Sequence, residues 1–319
     1  AFVQEAIVDD GRISGIVVAT KGGLVRFDAT VVVDASGDAD VCFHAGFGFE
    51  LAGSIAPAQT LTTTFRMINV DHSARKAISK DELHQLMADA ADSGDYDLPR
   101  REGSDHITPI DGMIATVMTR VDHVDESSGE TKNATDPAIL TAAEMSGRRQ
   151  ALEYARFLVD KVPGYENAGL GALSSQIGLR ETRRVNGDYR LTRQDVLSAR
   201  QFDDQIGLCG APIEDHHGLG DTGTNWEYLP DGEAVGIPLG TLVAADGINT
   251  LMAGRCFSAE HDAQASVRSM AQCMAMGQAV GTAAALAVPQ GGNVRSVSFG
   301  SVADRLIASG AILTAKAVA

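Results

Sequence analysis

INTLMAGRCFSAEHDAQASVRSMAQCMAMGQAVGTAAALA, residues 248–287, is the stretch on which the fold turns. An apolar run over Ile248–Ala253 reads as a short strand that stops at Gly254-Arg255. Ser269 and Gln272 have the spacing of a capping box, and a helix rich in Gly and Ala follows to Ala287. A helix start offers free N–H groups and the positive end of a macrodipole, suited to a carbonyl or a developing negative charge. Gly277 and Gly281 allow close packing against a neighbour. Met270 to Val288 carries Gln272, Gln278 and Thr282 and reads as a buried helix rather than a membrane span.

The N-terminal end has a similar texture. Asp9-Asp10-Gly11 and Lys21-Gly22-Gly23 are turn signals between β-branched runs, so residues 1–37 read as a meander entering a strand. Thr30 to Val33 predicts a strand covered on both faces. It ends in Asp34-Ala35-Ser36-Gly37-Asp38, whose small residues let a cofactor approach the backbone, with Asp38 placed to cap the next helix. A simple strand-to-helix turn explains the same residues. Between these ends Thr60 to Val70 reads as a strand, Ser79 with Glu82 and Thr141 with Glu144 as capping boxes, and Gly112–Val121 as a short strand. The last helix is expected over Val297–Ser309. The fold class expected is α/β with an α+β insertion: 1–48 and 241–319 form one domain, interrupted by 49–240.

The composition narrows the partners. Twenty-six basic against 42 acidic residues leave a net charge of −16, which argues against nucleic acid and anionic membrane surfaces. The four cysteines show no CxxC spacing, so no zinc site or disulfide framework is indicated and a reducing, cytoplasmic setting is expected. The one GxGxxG match, Gly218–Gly223, follows Glu214-Asp215-His216-His217 rather than a strand and runs into no helix; it reads as a loop. No GxSxG elbow and no HExxH occur.

Four segments, DASGDADVCFHAGFGFELAG, QTLTTTFRMINVD, GLRETRRVNGDYRLTRQDV and LMAGRCFSAEHDAQASVRSMAQCMAMGQAVGTAAALA, together resemble the FAD-dependent oxidoreductases related to the fumarate-reductase flavoprotein group. The resemblance covers essentially the whole chain. It implies an FAD-binding domain interrupted by a substrate domain. FAD would be held by the loop at Ala35, Ser36, Gly37 and Asp38, and by Gly254, Arg255, Ser266, Val267, Ser269 and Met270. A strand–GxGxxG–helix unit, which the family places before the meander, is absent from residues 1–319, and the chain starts at Ala1. Hence the expectations are a fragment or a chain completed by a partner, and weak or no FAD binding by this chain alone.

Arg180, Arg183, Arg184, Arg190, Arg193 and Arg200 crowd one block. Arginine forks recognise carboxylate or phosphate, so an anionic small-molecule substrate is one reading. Internal pairing with Glu181, Asp188 and Asp195 is the other. By resemblance Arg180 is the member assigned to substrate, and His261 lies near the flavin ring, where an imidazole can move a proton. Arg268 and His216 complete the catalytic candidates, with Arg180, His261 and Arg268 expected to converge near Ser269. No metal is expected.

Overall fold

Asp10 and Gly11 both take positive φ, 43° and 72°, the geometry that a two-residue hairpin turn needs to match strand twist. The turn sets strands Phe2–Asp9 and Arg12–Thr20 antiparallel, and Gly23–Asp28 adds the third strand of the meander. The coordinates are a computed structural model that describes residues 1–55, 57–122, 133–216 and 224–315. His217 and the GxGxxG match at 218–223 lie outside these. The chain divides into two units: Ala1–Ala56, Glu181–Asp215 and Trp226–Ala319 form the first, Pro57–Arg180 and His216–Asn225 the second.

In the first unit, Val32–Asp34 and Thr250–Met252 pair in parallel, with Leu251 opposite Val33. Residues 181–215 and 226–240, which sequence texture groups with the middle of the chain, belong to this unit because their strands pair here. Arg183–Val185 pairs with Phe49–Leu51, and Gln205–Cys209 with Val235–Pro238. The helix Met270–Ala287 packs on both strands of the parallel pair and on the helix Phe299–Ala308. Its Met276, Ala279, Val280, Ala283 and Ala287 enter a core with Leu251, Phe257, Val302 and Leu306.

Two expectations about burial are corrected. Val33 is 37% exposed, and among the described residues its strand pairs with Thr250–Met252 alone. The long helix is buried on one side only: Met270, Met274, Gly277, Gly281 and Val288 face outward at helical spacing. By length and composition Met270–Gln290 is apolar enough to cross a membrane.

The second unit is built on a four-stranded antiparallel sheet in the order Ser104–Ile107, Ile114–Val117, Phe65–Ile68, Gly169–Leu173. Helices Lys80–Ser93 and Pro137–Lys161 contribute Leu83, Met87, Tyr154, Phe157 and Leu158 to a core with Phe65, Met67 and Ile114. Ser79 and Glu82 form the expected capping box. The second expected box is corrected: the helix starts one turn earlier, at Pro137, with Asp136 as its cap. Thr141 then lies inside the helix and its hydroxyl donates to Pro137 O.

Candidate functional site

The carboxyl ends of two neighbouring parallel strands are where open α/β sheets place ligands, and here they carry the loops 35–39 and 253–259. Asp34, fully buried, shapes the first loop. One oxygen accepts from Ser36 N (3.1 Å) and Ser36 Oγ (2.7 Å), the other from Cys42 N (2.9 Å). Ser36 Oγ in turn accepts from Asp40 N at 2.8 Å. Gly37 (φ 85°) and Ala39 (φ 56°) bend the chain left-handed between these bonds.

Asp38 does not cap the helix Asp40–His44, whose N-cap is Ala39 with no side-chain bond. Its carboxylate instead accepts from Arg255 Nη2 (2.6 Å) and Thr182 Oγ1 (2.7 Å), tying the two loops together. Arg183 Nη1 donates to Asp38 O (2.8 Å) and Asp40 Oδ1 (3.1 Å), and its guanidinium lies 4.1 Å from the centre of the Phe43 ring. Cys42 and Cys256 flank Asp34. Burial, then the Asp34 charge, raises both thiols far above their ordinary range, so neither is a nucleophile.

A second cluster surrounds His261, the first residue of the helix His261–Val267. Nδ1 faces the fully buried Glu181 at 3.0 and 3.1 Å, and Nε2 faces Asp215 Oδ1 at 3.1 Å. Glu181 also pairs with Arg184, which bonds Glu50 and donates from Nε to Ala259 O at 3.0 Å. Glu50 takes Arg190 as a further partner. Burial lowers the pKa of Arg184; Glu50 opposes this and Arg190 adds to it. Asp215, His261 and Asp262 bring three possible ligand atoms within 4.8 Å of one another, a proximity that spacing in the sequence does not show.

Arg268, just past this helix, donates from Nη2 to Glu214 O at 3.2 Å, next to the residue that holds His261. Burial lowers its pKa against the pull of Glu214 and Asp215. Consecutive residues thus serve both clusters: Thr182 and Arg183 hold the Asp38 loop, while Glu181 and Arg184 hold the histidine side.

The remaining predicted residues fall as follows. Ser269 is the N-cap of the long helix, but its hydroxyl bonds the Gln272 side chain and caps no backbone N–H. The expected capping box does not form. Met270 is exposed. Val267 is fully buried, and Ser266 Oγ donates to Ala211 O at 2.7 Å, so both side chains are turned into the core. In the second unit, Arg180 Nη1 donates to Thr60 O (2.6 Å) and Thr62 Oγ1 (2.7 Å). His216 is buried there, with Nδ1 3.2 Å from Thr224 Oγ1.

Within the arginine block, Arg184 pairs with Glu181, Arg200 with Asp195, and Arg193 with Glu227 and Asp262. No local pattern in the sequence marks Asp215, Glu50 or Thr182 as site residues. Glu181 is marked only as the acid inside the Arg-Glu-Thr-Arg-Arg run at 180–184.

Among solved structures, the chain is similar to a triple mutant of the flavin-dependent brominase Bmp2, at 13% identity and a TM-score of 0.35. That match covers 96% of this chain and 54% of the brominase chain, so the chain spans about half the length of that relative. No curated protein matches it in sequence. The family described as FAD dependent oxidoreductase matches residues 1–306, nearly the entire chain, and the protein therefore belongs to the FAD dependent oxidoreductase family.

Proposed function

We propose that the chain is an FAD-dependent oxidoreductase related to the fumarate-reductase flavoprotein group, or the larger C-terminal portion of one, exchanging a hydride between flavin and a small anionic organic substrate. The observation that carries this reading is the run Glu181–Arg184, which joins a loop pair suited to a cofactor to a histidine held between two acids.

The residues present fit an anionic cofactor. Gly254 has φ 91° and no atom within 4 Å of where a Cβ would stand, so its backbone is open to a ligand. Arg255 Nε is buried with no hydrogen-bond partner among the described residues. The loop 35–38, Gly254-Arg255 and the helix start at Ser269-Met270 would hold the FAD; Ser266 and Val267 would support it through the backbone. FAD, when bound, supplies the hydride chemistry.

The protein's part is position and charge. Arg268 and, in the second unit, Arg180 supply guanidinium groups for carboxylate recognition. Glu181 fixes the His261 ring through Nδ1, and His261 moves the proton at Nε2, releasing Asp215 as it does so. His216 is the reserve acid–base candidate. A reducing, cytoplasmic setting belongs to the same proposal and agrees with four free cysteines.

The test is flavin reduction by a panel of small carboxylates, followed by absorbance in FAD-loaded protein. Replacing Arg180 or Arg268 by Lys is expected to lower kcat/KM by about 10- to 100-fold, since lysine lacks the planar fork. Near-wild-type turnover in both Arg180→Lys and His261→Ala would remove the reading.

A second reading is that the chain completes a flavoprotein fold with a partner polypeptide and is not catalytic alone. The open edge of Val32–Asp34 and the exposed Val33 favour it. Adding a polypeptide that carries a strand–GxGxxG–helix unit should then yield a yellow complex. A mixture that stays colourless and unassociated rules that reading out.

A further inference from the structure

Arg255 stands where the two loops meet, and its donors are unevenly used. Nη2 donates to Asp38 Oδ1 at 2.6 Å, while Nε is buried without a hydrogen-bond partner among the described residues. Asp38 is in the opposite position. It also accepts from Thr182 Oγ1 at 2.7 Å, so it keeps a partner if the arginine leaves.

The guanidinium lies against Gly37: a Cβ at that residue would stand 2.8–2.9 Å from Cζ and both terminal nitrogens. Glycine there gives the planar group a place to rest across the loop. The open backbone of Gly254 adjoins it. Nε and a terminal nitrogen of one guanidinium form a fork that matches two phosphate oxygens, a geometry that a single carboxylate oxygen on Nη2 does not satisfy. A buried donor left empty is costly, so a ligand that fills it gains from the exchange.

We propose that Arg255 is an exchangeable diphosphate ligand: it rests on Asp38 in the free chain and swaps that carboxylate for the diphosphate oxygens of a dinucleotide. Asp38 then stays bonded to Thr182. The proposal rests on the flavin reading above, in which the dinucleotide is FAD.

Isothermal titration of the full chain with FAD, riboflavin and inorganic diphosphate tests it, with circular dichroism confirming that each variant is folded. Wild type should bind diphosphate. Arg255→Gln should weaken FAD and diphosphate by about 10- to 100-fold and leave riboflavin unchanged, with Arg255→Lys in between. Asp38→Asn should bind diphosphate several-fold more tightly, because the internal competitor has lost its charge.

Four results would each overturn the proposal: no diphosphate binding by wild type, unchanged diphosphate binding in Arg255→Gln, equal losses of riboflavin and FAD in that variant, or weaker diphosphate binding in Asp38→Asn. Diphosphate binding with the expected variant pattern, but no binding of FAD or riboflavin, upholds the anion role of Arg255 and removes the reading in which this chain alone loads flavin, leaving the one completed by a partner.

Discussion

Asp195 shows how far one side chain can be committed. It is buried at the cap of the short helix Arg193–Leu197, and accepts from Tyr189 Oη (2.7 Å), Thr192 N (3.0 Å), Thr192 Oγ1 (2.8 Å) and Arg200 Nη1 (2.9 Å). Burial alone would raise its pKa, but the bonds from Tyr189, Thr192 and Arg200 outweigh that and hold it below the ordinary range. A depressed carboxyl contributes stability above its unfolded pKa of about 3.9. That contribution should be lost as the pH falls through the lower folded value. Tyr189 works in the other direction. Burial, then Asp195, pushes it to about 12, so its contribution is complete below about 10 and is lost as the pH rises from there through about 12. Asp195→Asn should cost about 2 kcal/mol in urea unfolding near neutral pH and flatten the acid limb of the stability profile.

At the scale of elements, helix Pro137–Lys161 carries a glycine in its middle, Gly147. On an exposed helix, Gly→Ala would stabilise by about 1 kcal/mol. Here the added Cβ would stand 3.0 Å from Thr63 Cβ, closer still to the Thr63 hydroxyl, and 3.3 Å from Ile177 Cδ1. Gly147→Ala should therefore destabilise, by about 1–3 kcal/mol, and thermal unfolding will show the sign. Elements were legible in the sequence where a local bond sets them. Ser79 with Glu82 and Asp10-Gly11 needed no distant partner. Thr141 and Glu144 misled because they repeat a cap's spacing one turn inside a helix that Asp136 had already started. His261 was visible as a residue type in a loop, but its clamp was not: Glu181 lies 80 residues away and Asp215 46. Strand pairing assembles it, and no local pattern records that.

For the whole molecule, a net charge of −16 sets the response to salt. Self-repulsion in the folded chain weakens as the screening length falls from about 30 Å at 10 mM salt to about 8 Å at 150 mM. Exposed pairs such as Arg26–Asp28 are worth little and lose little over that range. The melting temperature should therefore rise with sodium chloride. A fall would mean that the ion pairs outweigh the repulsion.

The two thiols beside Asp34 make the loop pair its own clock. Cys256 Sγ donates to Asp34 O at 3.7 Å, and the fully buried Cys42 donates its backbone N–H to Asp34 Oδ2 at 2.9 Å. Only thiolate reacts with an aromatic disulfide reagent, and both thiols are held protonated and out of reach. Labelling must wait for the loops to part, so its rate, read in seconds or hours, counts openings of the region around Asp34. A ligand that grips Arg255 and the 35–38 loop should slow labelling of Cys42 and Cys256 in proportion to its occupancy. Mass spectrometry of the labelled peptides, with the partly exposed Cys273 as the internal reference, will read that rate.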